Sequence, residues 1–117
     1  MLQAQLRERA LETERTALAV KGVTRSNGAG ASSYSGYSAV AASNGYERTS
    51  HRTSFGNSVS VIAGEGTAME RDFDGHAAVY WSDLEPAEKI GRTAGERAVR
   101  RLNPRKMPSQ TVPVIFD

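Results

Sequence analysis

The sequence lacks cysteine, which excludes a disulfide framework, a thiolate metal site and a cysteine nucleophile, and is compatible with a reducing compartment. Bulky apolar residues are few. Leu, Ile, Val and Phe number 21 of 117, about 18% of the chain, close to the composition of disordered segments. Charge of one sign is also scarce: 15 cations face 13 anions, so the self-repulsion that holds a disordered chain open is missing. The pI of about 9.2 rests on that excess of two charges and does not by itself indicate a nucleic-acid partner. No apolar run approaches the roughly 20 residues of a membrane helix, and the opening MLQAQLRERALETER is a charged helix rather than a signal peptide. These absences lead us to expect a soluble, cytoplasmic protein with no membrane partner.

What is present is alanine, in sixteen copies, so the expected core relies on close backbone approach rather than large side chains. A single domain over residues 1–117 fits the length. From Leu2 to about Val20, the positions Leu2, Leu6, Ala10, Ala17 and Val20 share one helical face, with Leu11 and Leu18 on an adjoining one. From Val23 to Leu84 the period changes to two, and strands are expected near 22–33, 36–43, 46–63 and 67–81. Asn44-Gly45 predicts a tight hairpin turn of type I′, Gly64-Glu65-Gly66 a second reversal, and Gly75 a bulge or bend. Phe55, Val59 and Val61 form an apolar face against Ser54, Ser58 and Ser60.

A second helix is expected from Pro86, with Ile90, Ala94, Ala98 and Leu102 as its buried stripe and Asn103-Pro104 as its stop. Gly91 and Gly95 beside that stripe would let the helix lie close on a sheet. Thr111 to Phe116 reads as a last strand, placed at an edge by Pro113. The expected fold is α+β, with an antiparallel sheet of four to five strands and the order α-β-β-β-β-α-β. A strand that stops at Asp117 and a start inside helical periodicity suggest a piece of a longer polypeptide.

Catalytic patterns are sparse. His51 and His76 lie far apart in strands without the helical spacing of a metalloprotease site. Glu70, Asp72 and Asp74 lie on one face of an acidic stretch, residues 65–83, of net charge −4; a solvated or partner-facing strand is preferred to a cation site. Gly28-Ala29-Gly30-Ala31 lacks the remaining residues of a phosphate loop, and no nucleophile elbow occurs. The basic stretch 85–106 supplies a candidate contact patch, Arg97, Arg100, Arg101 and Arg105, but its charge also suits the helix end and the acidic strand. No catalytic residue and no metal ligand emerges.

Several runs, taken in order, resemble the TldD/PmbA family, and its PmbA (TldE) branch most: Val23 to Ser32, Ala41 to Tyr46, Ser58 to Gly66 with Met69 to Asp74, and Ile90 to Lys106. The resemblance covers the family's central region. It implies a cytoplasmic bacterial peptidase subunit, known as a modulator of DNA gyrase, that pairs with a TldD-like partner to act on unfolded peptides. It also implies that zinc belongs to the partner's His-Glu-x-x-x-His helix, so no cofactor and no catalytic residue is carried over to this fragment. The runs Tyr34 to Tyr37 and Gly75 to Ala78 depart from the family pattern.

The resulting expectation is a non-catalytic central domain whose partners are a TldD-like subunit, the remaining domains of its own longer chain and unfolded peptide. Ser50, Thr53, Ser54, Ser58 and Ser60 are the candidate peptide-facing or partner-facing residues. The rival is a stand-alone α+β module that binds peptide at a sheet edge or nucleic acid through the basic helix.

Overall fold

The computed structural model describes residues 3–117. Helix α1 (Gln3–Leu18) is followed by strands β1 (Val23–Ala41), β2 (Glu47–Ala63) and β3 (Glu70–Ala78), then helix α2 (Ala87–Arg100). The strands form one antiparallel sheet in the order β1-β2-β3, and both helices pack on the same face of it.

This architecture, α-β-β-β-α, corrects the expected four to five strands and the order α-β-β-β-β-α-β. The segments 22–33 and 36–43 are a single strand, because Tyr34-Ser35 provides no turn chemistry and the pairing with β2 runs unbroken from Gly28↔Ser60 to Ala41↔Glu47. The irregularities in β1 lie earlier, between Val23 and Arg25 and between Ser26 and Gly28, where Gly28 takes a φ of 123°. Residues 111–116 join no ladder. That segment is exposed and carries no regular secondary structure, with Ile115 95% exposed, and Pro113 has no N–H to offer a neighbouring strand.

The expected hairpins occur with different details. Residues 42–46 reverse the chain between β1 and β2 through Gly45 N–H to Ala42 C=O at 3.0 Å, with Gly45 at φ 88° and Asn44 not in the left-handed region. This is a type I turn followed by a left-handed glycine, in place of type I′. Between β2 and β3 the chain turns at Gly64 and through the short 3-10 segment Gly66–Ala68. Gly75 carries no bulge. It sits in register opposite Ser58, whose Cβ would be 3.0 Å from any side chain added there.

The core is small-residue packing around a few branched side chains. Val59, Val61 and Ala63 of β2 meet Ala17 of α1 and Ile90, Ala94 and Ala98 of α2. Each fully buried Val or Ile contributes about 1.5–3 kcal/mol relative to exposure. Phe55 lies at the end of this inward row, edge-on to Trp81 at 5.8 Å. In α1 the buried positions are Thr13 and Ala17, while Leu11 and Leu18 are exposed and Leu2 lies outside the described residues.

Gly91 and Gly95 serve a different contact from the one expected. They face α1, not the sheet: a Cβ on Gly91 would sit 2.9 Å from Ala17 N, and one on Gly95 2.6 Å from Val20 Cγ2. The absent side chains let the two helices touch backbone to backbone above the sheet. Arg9 ties the same corner from α1. It donates to the Glu85 carbonyl and lies 5.0 Å from the Trp81 ring centroid, and burial lowers its pKa against the opposing pull of Glu88.

Candidate functional site

Alternation along the strands divides the sheet into two unlike faces. The inward row of β3, Asp72, Asp74 and His76, looks toward the helices. Arg97 Nη1 bonds Asp74 Oδ1 at 3.0 Å, and Arg101 Nε bonds Asp72 Oδ2 at 2.9 Å. The acidic strand is therefore the counterpart of the basic helix. Of the expected basic patch, Arg97 and Arg101 are engaged on β3, Arg100 is exposed at the end of α2, and Arg105 lies exposed in the segment after α2 that has no regular secondary structure.

The other face carries no helix. Its floor is made of Gly30 and Ser32 from β1, Gly56 and Ser58 from β2, and Gly75 from β3, and it forms a shallow groove of about 610 Å³ bordered by Phe73, which is 64% exposed. The floor is open above Gly30, where a Cβ would meet no atom within 4 Å, and tight at Gly56 and Gly75, where one would come to 3.0 Å from Ser32 Oγ and from Ser58 Cβ. Ser50, Ser54, Ser58 and Ser60 share this face through their even positions in β2. Thr53 has the opposite parity, and its hydroxyl donates to the Val79 carbonyl at 2.8 Å. The structure thus brings four of the five hydroxyl candidates together and assigns the fifth to the point where β3 leaves β2.

Beyond that point β1 and β2 continue alone as a two-stranded ribbon. β3 pairs only with Phe55 to Ala63, so the 47–54 edge of β2 is unpaired. Residues 37–52 are exposed throughout, and the molecule extends 62 Å along its longest axis. The ribbon holds itself together with Tyr37 stacked on His51 at 4.2 Å, Ser35 Oγ bonded to His51 Nε2 at 2.9 Å and Ser38 Oγ bonded to Ser50 Oγ at 2.5 Å. An open strand edge beside a pocket of about 600 Å³ lined by His51, Arg52, Thr53, Ser54, Val79 and Tyr80 has the chemistry to accept an extended chain through main-chain hydrogen bonds.

The residues do not fit a zinc site. His51 is spent on Tyr37 and Ser35, and His76 Nδ1 accepts the Glu85 backbone N–H at 3.2 Å. Among the described residues no three His, Asp or Glu side chains gather around a common point. Sequence reasoning missed the arginines of the helix-free face, Arg25, Arg48, Arg52 and Arg71. The available signal was parity: Arg48 and Arg52 share the even register of the β2 serines.

Residues 2–102 match the model of the PmbA/TldA metallopeptidase central domain. The chain is 33% identical over 110 residues to a metalloprotease PmbA homolog of Haemophilus influenzae, and 34% identical over 110 residues to metalloprotease PmbA of Escherichia coli O157:H7. Each alignment takes in 93% of this chain and 24% of the relative, so the chain spans about a quarter of the length of these proteins. A candidate modulator of a DNA gyrase from Thermotoga maritima shares the fold with a TM-score of 0.85 at 16% identity, over 94% of this chain and 25% of that one. A second, from Bacteroides thetaiotaomicron, does so with a TM-score of 0.81 at 24% identity, over 92% and 24%. The chain belongs to the TldD/PmbA metallopeptidase family, and its matched region is the family's central domain.

Proposed function

We propose that this chain acts as the non-catalytic central domain of a PmbA/TldE-like subunit, paired in the cytoplasm with a TldD-like subunit that carries the zinc, and that its ribbon and helix-free sheet face guide unfolded peptide toward that metal. The observation that carries this reading is the ribbon itself. Residues 36–63 present an unpaired strand edge and a row of serine hydroxyls with no helix over them. Such a surface can hold an extended chain by its main-chain groups while asking little of its side chains. That suits a protease of broad specificity.

The test is a reconstituted pair in which the ribbon is shortened by matched deletions in β1 and β2 that preserve the Asn44-Gly45 turn. The pair should still assemble and still hold its metal, while cleavage of an unfolded protein substrate falls by at least about tenfold, the equivalent of ~1.4 kcal/mol in transition-state binding. Unchanged cleavage by the shortened pair contradicts the guiding role.

A further inference from the structure

The helix-free face has a charge pattern that the rest of the molecule does not share. Arg25 of β1 and Arg71 of β3 lie opposite Ile62 from either side of β2, at the end of the sheet nearest the Gly64 turn. Arg48 and Arg52 occupy the same face on the ribbon, about 33 Å from Ile62 to Arg52 at ~3.3 Å per residue. All four are exposed. Among the described residues none has a carboxylate within ion-pair distance, whereas Arg97 and Arg101 on the opposite face each have one. The strand carboxylates have the opposite parity: Glu47, Glu70, Asp72 and Asp74 pair across from Ala41, Ala63, Val61 and Val59, which belong to the helix side. Arg25 reaches across this face to Met69 Sδ at 3.0 Å.

We propose that this face binds an acidic polypeptide segment in extended conformation, with carboxylates near its two ends meeting Arg25 and Arg71 at one end and Arg48 and Arg52 at the other. The inference deepens the peptide-guiding role and rests on it. Charge complementarity supplies the sign of the occupant, and spacing supplies its form. The centre of the face is uncharged, a floor of Gly30, Gly56 and Gly75 that allows close main-chain approach, with Ser32, Ser54 and Ser58 as hydrogen-bonding groups. A polynucleotide would place phosphates over that neutral centre without partners, whereas a peptide carries charge only where its side chains do. Paired strands twist, and an extended peptide follows such a surface more readily than a rigid globular partner.

The test uses the 117-residue chain and fluorescence anisotropy at low salt. The probes are twelve-residue peptides with glutamates, glutamines or lysines near both ends of a Gly, Ser, Thr and Val centre, and a thymidine oligonucleotide of twelve residues. The glutamate peptide should bind about tenfold or more tighter than the glutamine peptide and weaken as salt rises. The Arg52→Glu/Arg71→Glu variant should lose that preference and gain one for the lysine peptide, with its thermal midpoint within a few degrees of the parent. Arg92→Glu on α2 should bind like the parent. Equal binding of glutamate and glutamine peptides overturns the charge selection and leaves the guiding role standing, whereas no binding of any peptide removes both. An oligonucleotide that binds more tightly than the glutamate peptide overturns the choice of a peptide occupant.

Discussion

Thr13 of α1 and Asn57 of β2 are both buried and bonded to each other, Asn57 Nδ2 donating to Thr13 Oγ1 at 2.7 Å across the seam between helix and sheet. The Thr13 hydroxyl has carbonyl acceptors at Arg9 O, 2.8 Å away, and at Asn57 Oδ1, 3.0 Å away. In a core of alanine and valine this pair fixes which turn of α1 meets which residue of β2. Thr13→Val should cost about 1–3 kcal/mol, because it leaves the Asn57 amide buried without its partner. Combined with Asn57→Leu, the total should be less than the sum of the two single effects. Denaturant midpoints measure this, and strict additivity would show that the two residues act independently.

Val61 is fully buried and Ser60 points to the helix-free face. Val61→Asp should unfold the domain, since an unpaired buried carboxylate costs several kcal/mol, comparable to the whole stability of a small domain. Ser60→Asp should lower the thermal midpoint only slightly. Circular dichroism melts distinguish the two, and equal losses would contradict the assigned facing.

Close helix contact depends on Gly91, where a Cβ would run into the Thr13 carbonyl and the Ala17 backbone. Gly91→Ala should destabilise by about 1–3 kcal/mol through overpacking. Gly30→Ala, with open space around it and no positive φ, should leave the midpoint unchanged or raise it slightly. A harmless Gly91→Ala would mean that α1 and α2 are not held at this distance.

The hydrogen bond from Lys89 Nζ to Glu85 Oε1, at 2.8 Å, holds the Glu85 carboxyl below its ordinary pKa. Its contribution is complete above the ordinary carboxylate range and is lost as pH falls through the folded-state value. Lys89→Met should therefore flatten the fall of the thermal midpoint between neutral and acidic pH. A pH profile of the same slope in Lys89→Met would assign the acid sensitivity to other carboxylates.

The sequence carried those features set by local periodicity. The inward row Val59 and Val61 against the outward serines, and the stripe Ile90, Ala94 and Ala98, follow from alternation and from a 3.6-residue period. Strand number did not follow, because whether Tyr34-Ser35 turns or continues depends on the β2 partners Ser54 and Thr53, eighteen to twenty residues away. Thr13 was missed because a hydroxyl in a helix reads as polar until Asn57 is placed against it. Gly91 and Gly95 were assigned to the correct kind of close approach but to the wrong neighbour, since one face of a helix cannot reveal whether a strand or another helix lies beneath it. The placement of Ser50, Ser54, Ser58 and Ser60 on one face follows from their spacing, whereas Thr53, grouped with them, has the opposite parity. Arg48 and Arg52 share the parity of the serines, but only the register of three strands shows that Arg25 and Arg71 join them and that the carboxylates lie on the other face.

The guiding role requires that peptide meet this domain directly. A photoreactive unfolded peptide, cross-linked into the assembled pair during turnover and mapped by mass spectrometry, measures that contact residue by residue. Labels between Gly36 and Ala63, concentrated on the outward serines of β2 and on its 47–54 edge, are the predicted result. Labels confined to the metal-bearing subunit, with none between Gly36 and Ala63, would contradict it.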